Sequence, residues 1–203
     1  MDIKRGLTLS GRPRILAGPA SWHTDTNNRW SHSLQNNAQT FAVNVYPGEL
    51  HFNSAHFITF DNSCENLHGH NFHLRIQAYG DNNSDAFVID FVLLNRLAAE
   101  ICHELHDKIL LPGESEEVAI EQAGDRMEVS SYDKRFTLPA SNCLVLPVAN
   151  TTAEMLAWYV MESLLPKLAA DSALIHVKSL EVAVEEADHQ WGICRREIDS
   201  GGD

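Results

Sequence analysis

The sequence predicts an α+β domain, an antiparallel β-sheet carrying two helices on one face. Two observations lead there. Stretches starting at Phe41 and His68, and the late run LIHVKSLEVAVEEA, alternate apolar with polar residues as half-buried strands do. Two further stretches, 91–105 and 150–166, repeat apolar residues at helical spacing. A long βαβ alternation is missing, which favours an antiparallel sheet with its helices gathered on one side.

Taken in order, residues 1–39 hold Lys4, Arg5, Arg12, Arg14 and Arg29 among Gly, Pro, Ser and Asn. They read as an N-terminal extension or an arm to a neighbouring subunit, since they have neither an apolar core nor an amphipathic period. One domain is expected over 40–198. FAVNVY, a break at Pro47-Gly48 and ELHFNSAHFITF read as strands that bring in His56 near a strand end. Asp61-Asn62-Ser63 is a turn, followed by Cys64 and Glu65. From His68 to Tyr79 one alternate set is His68, His70, Phe72, Leu74, Ile76 and Ala78, so both histidines start an inward face and His73 points outward. Residues 80–85 read as a hairpin loop and Ala86–Asp90 as a return strand.

Asp90 is an N-cap, and Leu94, Leu97, Ala98, Ile101 and Leu105 form the apolar stripe of a helix over 91–105. Cys102 and His103 beside that stripe are given packing or surface roles. His106-Asp107 closes the helix. Over 112–142, EEVAIEQ and DRMEVSSY alternate around Ala123-Gly124 and KRFTLP follows. This reads as an inserted β-hairpin region on the rim, shaping a mouth or an interface without carrying chemistry. The second helix opens at Asn150, with Thr151 and Glu154 at capping-box spacing, and runs to Pro166. In the last strands Leu180, Val182 and Val184 face inward and Glu186 continues that set, while Glu185 faces outward.

Composition narrows the function. A chain of 203 residues fits one domain with a substantial core, and a net charge of -13 argues against nucleic acid or an anionic membrane as partner. Four irregularly spaced cysteines without a secretory signal point to reduced thiols in a cytoplasmic protein. No apolar run reaches the length of a membrane span.

The chemistry concentrates between His56 and His70, where three imidazoles, one thiol (Cys64) and one carboxylate (Glu65) fall close together. A catalytic zinc takes three protein ligands and keeps a fourth position open. His68-Gly69-His70 sets two imidazoles on one face of an extended strand, and Gly69 leaves room for a close neighbour. A closed structural site with Cys64 as fourth ligand is the alternative. The inward Glu186 is costly unless paired, and it could accept two parallel donors from a ligand.

The segment Cys64-Glu65-Asn66-Leu67-His68-Gly69-His70, preceded by Phe52-Asn53-Ser54-Ala55-His56, resembles the family of 6-pyruvoyl-tetrahydropterin synthase and 6-carboxy-tetrahydropterin synthase. The resemblance runs from about Glu49 to Glu186, interrupted after Leu111. It implies a tunnelling fold (T-fold) whose domains close into an oligomeric barrel, a hexamer, with sites shared between subunits. It further implies Zn2+ on His56, His68 and His70, Cys64 as catalytic base, and a pterin held by Thr151 or Thr152 and by Glu186. The family reads Leu-Asp-His-Lys where this chain has Leu105-His106-Asp107-Lys108, so the residues of its proton relay are exchanged here; both are carried as site residues.

What the resemblance implies for activity is a zinc-dependent lyase or synthase acting on the C6 side chain of 7,8-dihydroneopterin triphosphate. C-x-x-x-H-G-H resembles the 6-carboxy-tetrahydropterin branch, which feeds deazapurines such as queuosine. E-x-x-H-G-H resembles a branch releasing 6-hydroxymethyl-7,8-dihydropterin for folate-type cofactors. With Glu65 directly after Cys64, the chain satisfies both, so dihydroneopterin aldolase-like chemistry is the alternative. A non-catalytic zinc- or pterin-binding member is another, because of the exchanged pair. The run from His68 to His73 also approaches the H-x-H-x-D-H pattern of metallo-β-lactamase-like hydrolases, but Phe72 stands where the aspartate is needed.

Overall fold

A computed structural model describes residues 40–46, 48 and 50–198; the expected extension over 1–39 lies outside the described residues. Strands β1 (Phe41–Val45) and β2 (His51–His56) lead into the two-residue strands β3 (Thr59–Phe60) and β4 (Ser63–Cys64), then into the long β5 (His68–Gly80). The expected alternation is visible in β5, where Phe72, Leu74, Ile76 and Ala78 are fully buried and the residues between them are half-buried. β5 is the axis of the sheet. Along one side its first half pairs antiparallel with β2 and its second half with β1.

No return strand forms at Ala86–Asp90. Both sides of β5 are already taken, by β1 and β2 on one and by β11 (Val177–Ala187) on the other. The segment turns instead, with Ala86 at φ 65 and the Asn83 side chain accepting from the N–H groups of Asp85 and Phe87. Asp90 caps α1 (Phe91–Leu105) as expected, its carboxylate accepting from Val92 N at 2.7 Å.

The sheet is mixed where an antiparallel one was expected. β6 (Lys108–Pro112) lies parallel to β2, and β10 (Cys143–Leu146) parallel to β6. The cause is the connections. α1 carries the chain back along the sheet, so β6 starts in the direction β2 already has, and parallel neighbours need such a crossover. Between β6 and β10 the inserted region folds as a three-stranded antiparallel sheet, β7 (Ala119–Ala123), β8 (Arg126–Ser131) and β9 (Lys134–Pro139).

The cap of α2 (Ala153–Ala170) falls one residue beyond the expected Thr151, and the helix outlasts Pro166. Thr152 is the N-cap, accepting from Met155 N, because the Thr151 hydroxyl is committed to the Phe57 carbonyl at 2.6 Å. Leu164 and Leu168 are both fully buried on either side of the exposed proline, and that burial offsets a helix-interior proline penalty of about 3 kcal/mol. β12 (Gln190–Glu197) closes the order β10-β6-β2-β5-β11-β12.

Both helices lie on one sheet face, sharing a core with β2, β5 and β11 in which Phe52 and Phe72 stack at 4.9 Å between ring centroids. A second, smaller core holds Phe57, Cys64, Leu111, Val118, Met127 and Val129 beneath the inserted sheet. The end of β2, the start of β5, the end of β11 and the start of α2 meet at one end of the main core.

Candidate metal centre

His56 ends β2, fully buried, and its Nδ1 donates to the Thr151 carbonyl at 2.8 Å. His68 begins β5, and its Nδ1 donates to the Asn66 carbonyl at 2.8 Å. A carbonyl oxygen only accepts, so in both rings the proton sits on Nδ1 and Nε2 keeps a lone pair. His70 follows at the next inward position of β5, over the edge of Phe72. One ligand atom from each of the three imidazoles lies within 4.8 Å of the others. Burial, with His68 and His70 as neighbours, pulls His56 down to about 4 against the opposing pull of its bond to Thr151, so it is neutral near pH 7.

Two carboxylates converge on the rings. The register of β11 against β12 slips between Glu185 and Ala187, a bulge at Glu186. Its Oε1 stands 3.1 Å from His56 Nε2 and 3.9 Å from His70 Nε2. Glu65 Oε2 lies 4.0 Å from His68 Nε2. His56 Nε2, Glu65 Oε2 and Glu186 Oε1 are all buried without a hydrogen-bond partner. Buried polar atoms 3.1 Å apart and without a partner are costly unless something lies between or beside them, and three imidazole nitrogens with adjacent carboxylates could hold a metal ion.

The turn before β4 has Asp61 and Asn62 both left-handed, at φ 49 and 56, the geometry of a tight hairpin. It presents Cys64 and Glu65 to opposite sides, as successive residues of an extended chain are. Glu65 goes to the histidines. Cys64 goes into the second core, 4 % exposed, with its thiol donating to the Glu65 carbonyl at 3.4 Å. Burial raises that thiol, while Ser131 and Lys134 draw it the other way. Its sulfur is not in the ligand cluster, so the closed Cys-His site is not formed.

The exchanged pair divides. Asp107, left-handed at φ 57, lines a cleft of about 360 Å³ together with Gly69, His70 and Asn71. His106 caps the end of α1, and its Nδ1 accepts from Asn53 N at 3.3 Å, with Nε2 3.7 Å from Asp107 Oδ1. Glu186 and His70 also line a second cleft, of about 530 Å³. Thr151 is fully buried with its hydroxyl committed to Phe57, while Thr152 is half-buried at the helix start.

Asn150 was not singled out by the sequence reading. Its side chain donates to the Thr59 carbonyl at 2.8 Å and accepts from Thr151 N at 3.0 Å, tying the start of α2 to the β3–β4 hairpin. The only signal for it was an asparagine just ahead of a helix.

A mixed sheet with two helices on one face, and three imidazoles and two carboxylates at its end, define a small α+β domain built around a candidate metal centre. Residues 48–197 match the model of the family described as 6-pyruvoyl tetrahydropterin synthase, and the chain belongs to that family. A Methanocaldococcus jannaschii protein, provisionally named 6-carboxy-5,6,7,8-tetrahydropterin synthase, is 31% identical over 148 residues, 72% of this chain and 90% of its own. The Plasmodium falciparum 6-pyruvoyl tetrahydropterin synthase structure superposes with a TM-score of 0.73 at 26% identity, covering 78% of this chain and 99% of that one. A Plasmodium vivax 6-pyruvoyltetrahydropterin synthase gives 0.75 at 26% identity, over 79% and 99%. That Plasmodium vivax chain is a variant in which a glutamate, described as a catalytic residue, is replaced by alanine.

Proposed function

We propose that the chain is a zinc-dependent lyase acting on the C6 side chain of 7,8-dihydroneopterin or its triphosphate, with Glu65 as the group that moves the proton. The observation carrying this reading is the pair of buried atoms without a hydrogen-bond partner, His56 Nε2 and Glu186 Oε1, 3.1 Å apart beside two more imidazoles. His56, His68 and His70 would hold the zinc, which when bound polarises the side-chain hydroxyls of the substrate.

The protein's own groups do the rest. Glu65, with an unpartnered buried oxygen at the histidines, takes the proton of the C2′ hydroxyl. The C1′–C2′ bond then breaks, its electron pair passing into the C6–N5 imine. Glu65 returns the proton to C1′. The products are 6-hydroxymethyl-7,8-dihydropterin and glycolaldehyde, or, from the triphosphate, the triphosphate ester of glycolaldehyde. Glu186 and Asp107, each in a cleft that reaches His70, accept ring or hydroxyl donors and orient the pterin. The Plasmodium vivax relative has a glutamate described as catalytic, which supports a carboxylate in such a role.

The name of the Methanocaldococcus jannaschii relative favours a second reading, a 6-carboxy-tetrahydropterin synthase working through a Cys64 thiolate. It requires Cys64 to act from within the second core. Zinc-loaded protein incubated with 7,8-dihydroneopterin and with its triphosphate, products being identified by mass, separates the two. Glu65→Ala is expected to lower formation of the hydroxymethyl product by about 100-fold or more, and Cys64→Ala to leave it within a few-fold. The opposite pattern would transfer the role to Cys64, and no turnover of either compound would overturn the enzymatic reading.

A further inference from the structure

The inserted sheet, expected from the sequence to stand aside from the chemistry, touches the loop that carries Glu65. The turn between β8 and β9 brings Lys134 back over that loop, where Nζ donates to Asn66 Oδ1 at 2.9 Å. The carbonyl of the same Asn66 takes the Nδ1 proton of His68 at 2.8 Å. Lys134, Asn66 and His68 are thus linked in series. The sheet also meets the loop from below, where Met127 and Val129 of β8 enclose Cys64. One structure therefore holds the loop at both ends, by an apolar floor under Cys64 and by an ammonium group on Asn66.

We propose that Lys134 is a positioning residue for the metal centre, fixing through Asn66 the ring orientation and tautomer of His68 and, with them, the place of Glu65. The physical basis is preorganisation. Asn66 lies in a short segment between β4 and β5 that belongs to no strand, and its side chain has no other hydrogen-bond partner among the described residues. Without Lys134 the Asn66 side chain is untethered, and the backbone carbonyl of the same residue, which orients the imidazole, is held less firmly. Loss of groups that orient a metal-bound histidine typically costs 10- to 100-fold in affinity. Lys134 acts one link further out, so a loss of roughly 10-fold is expected. The inference rests on the reading of His56, His68 and His70 as metal ligands but on no assignment of substrate.

The test is zinc affinity, measured by competition with a chromophoric chelator on the full chain, alongside thermal unfolding of the metal-free protein. Lys134→Ala is expected to weaken zinc about 10-fold while the melting temperature of the metal-free protein stays unchanged. Lys134→Arg, which can still donate to Asn66 Oδ1, is expected to restore affinity. Asn66→Ala is expected to match Lys134→Ala, and the double variant to lose no more than either single one, because both act along one chain. Unchanged affinity in Lys134→Ala, a loss matched by an equal fall in metal-free stability, or additive losses in the double variant would each overturn the proposal. A wild-type chain that takes up no zinc would instead overturn the metal reading beneath it.

Discussion

Cys64 and Cys102 are both buried, and burial pushes both thiols up from their ordinary value of 9.0, Cys102 to about 12. The consequence for stability has a definite sign. A group whose folded-state value is raised favours the folded state fully below its unfolded value and loses that contribution as pH climbs towards the folded one. For Cys102 the window is pH 9 to 12. Chemical denaturation of wild type and Cys102→Ala should therefore show a difference that is constant up to about pH 9 and then narrows by roughly 1.4 kcal/mol per pH unit. A difference that stays constant to pH 11 would mean Cys102 is not shielded as described. The three histidines were legible in the sequence because spacing of two along a strand, continued by an apolar alternate set, leaves one face for His68 and His70. The orientation of Cys64 was not legible, since it depends on Met127 and Val129, more than sixty residues later in the chain.

Among the elements, the strands and α1 were legible wherever their own residues decided the matter, as the alternation of β5 and the Asp90 cap show. Partners decided the rest. Thr151 gave up the capping position because Phe57 offered its hydroxyl a buried acceptor, and Ala86–Asp90 did not become a strand because β5 had no free side. The contact between β12 and α2 shows the same dependence. A Cβ on Gly192 would lie 2.2 Å from the Ala153 carbonyl carbon and 2.3 Å from Glu154 N, within the first turn of α2. Strand and helix must separate to admit it. Gly192→Ala should destabilise the protein by about 1–3 kcal/mol, the usual cost of overpacking. Since the start of α2 also supplies the Thr151 carbonyl to His56, the same variant should weaken metal binding. Retained stability and unchanged affinity together would show that this contact does not hold the helix start in place.

For the whole molecule, the two sheet faces differ. One carries both helices; the other is covered at its β6–β10 end by the inserted sheet, where Ile109 and Leu111 join the second core, and over β5, β11 and β12 its side chains are ordered by charge. Glu181, 7 % exposed, accepts from Arg75 at 3.3 Å and Arg195 at 2.6 Å, while those guanidinium groups lie over Trp191 and Tyr79 respectively. β10 and β12, at the two ends of the strand order, have one neighbour each in this sheet, and each exposes an aliphatic side chain, Val145 at 45% and Ile193 at 50%. Unpaired edges of this kind invite another strand, and native proteins generally charge, shorten or cover them. The barrel closure that the family resemblance implies would do so by pairing edges between copies. Light scattering coupled to size exclusion should then give a mass several times 22.7 kDa. Ile193→Asp, which places a charge at the β12 edge, should lower that mass while leaving the helix-covered core folded. A wild-type monomer across the micromolar range would show that the edges stay unpaired, and the metal centre would have to be complete within one chain.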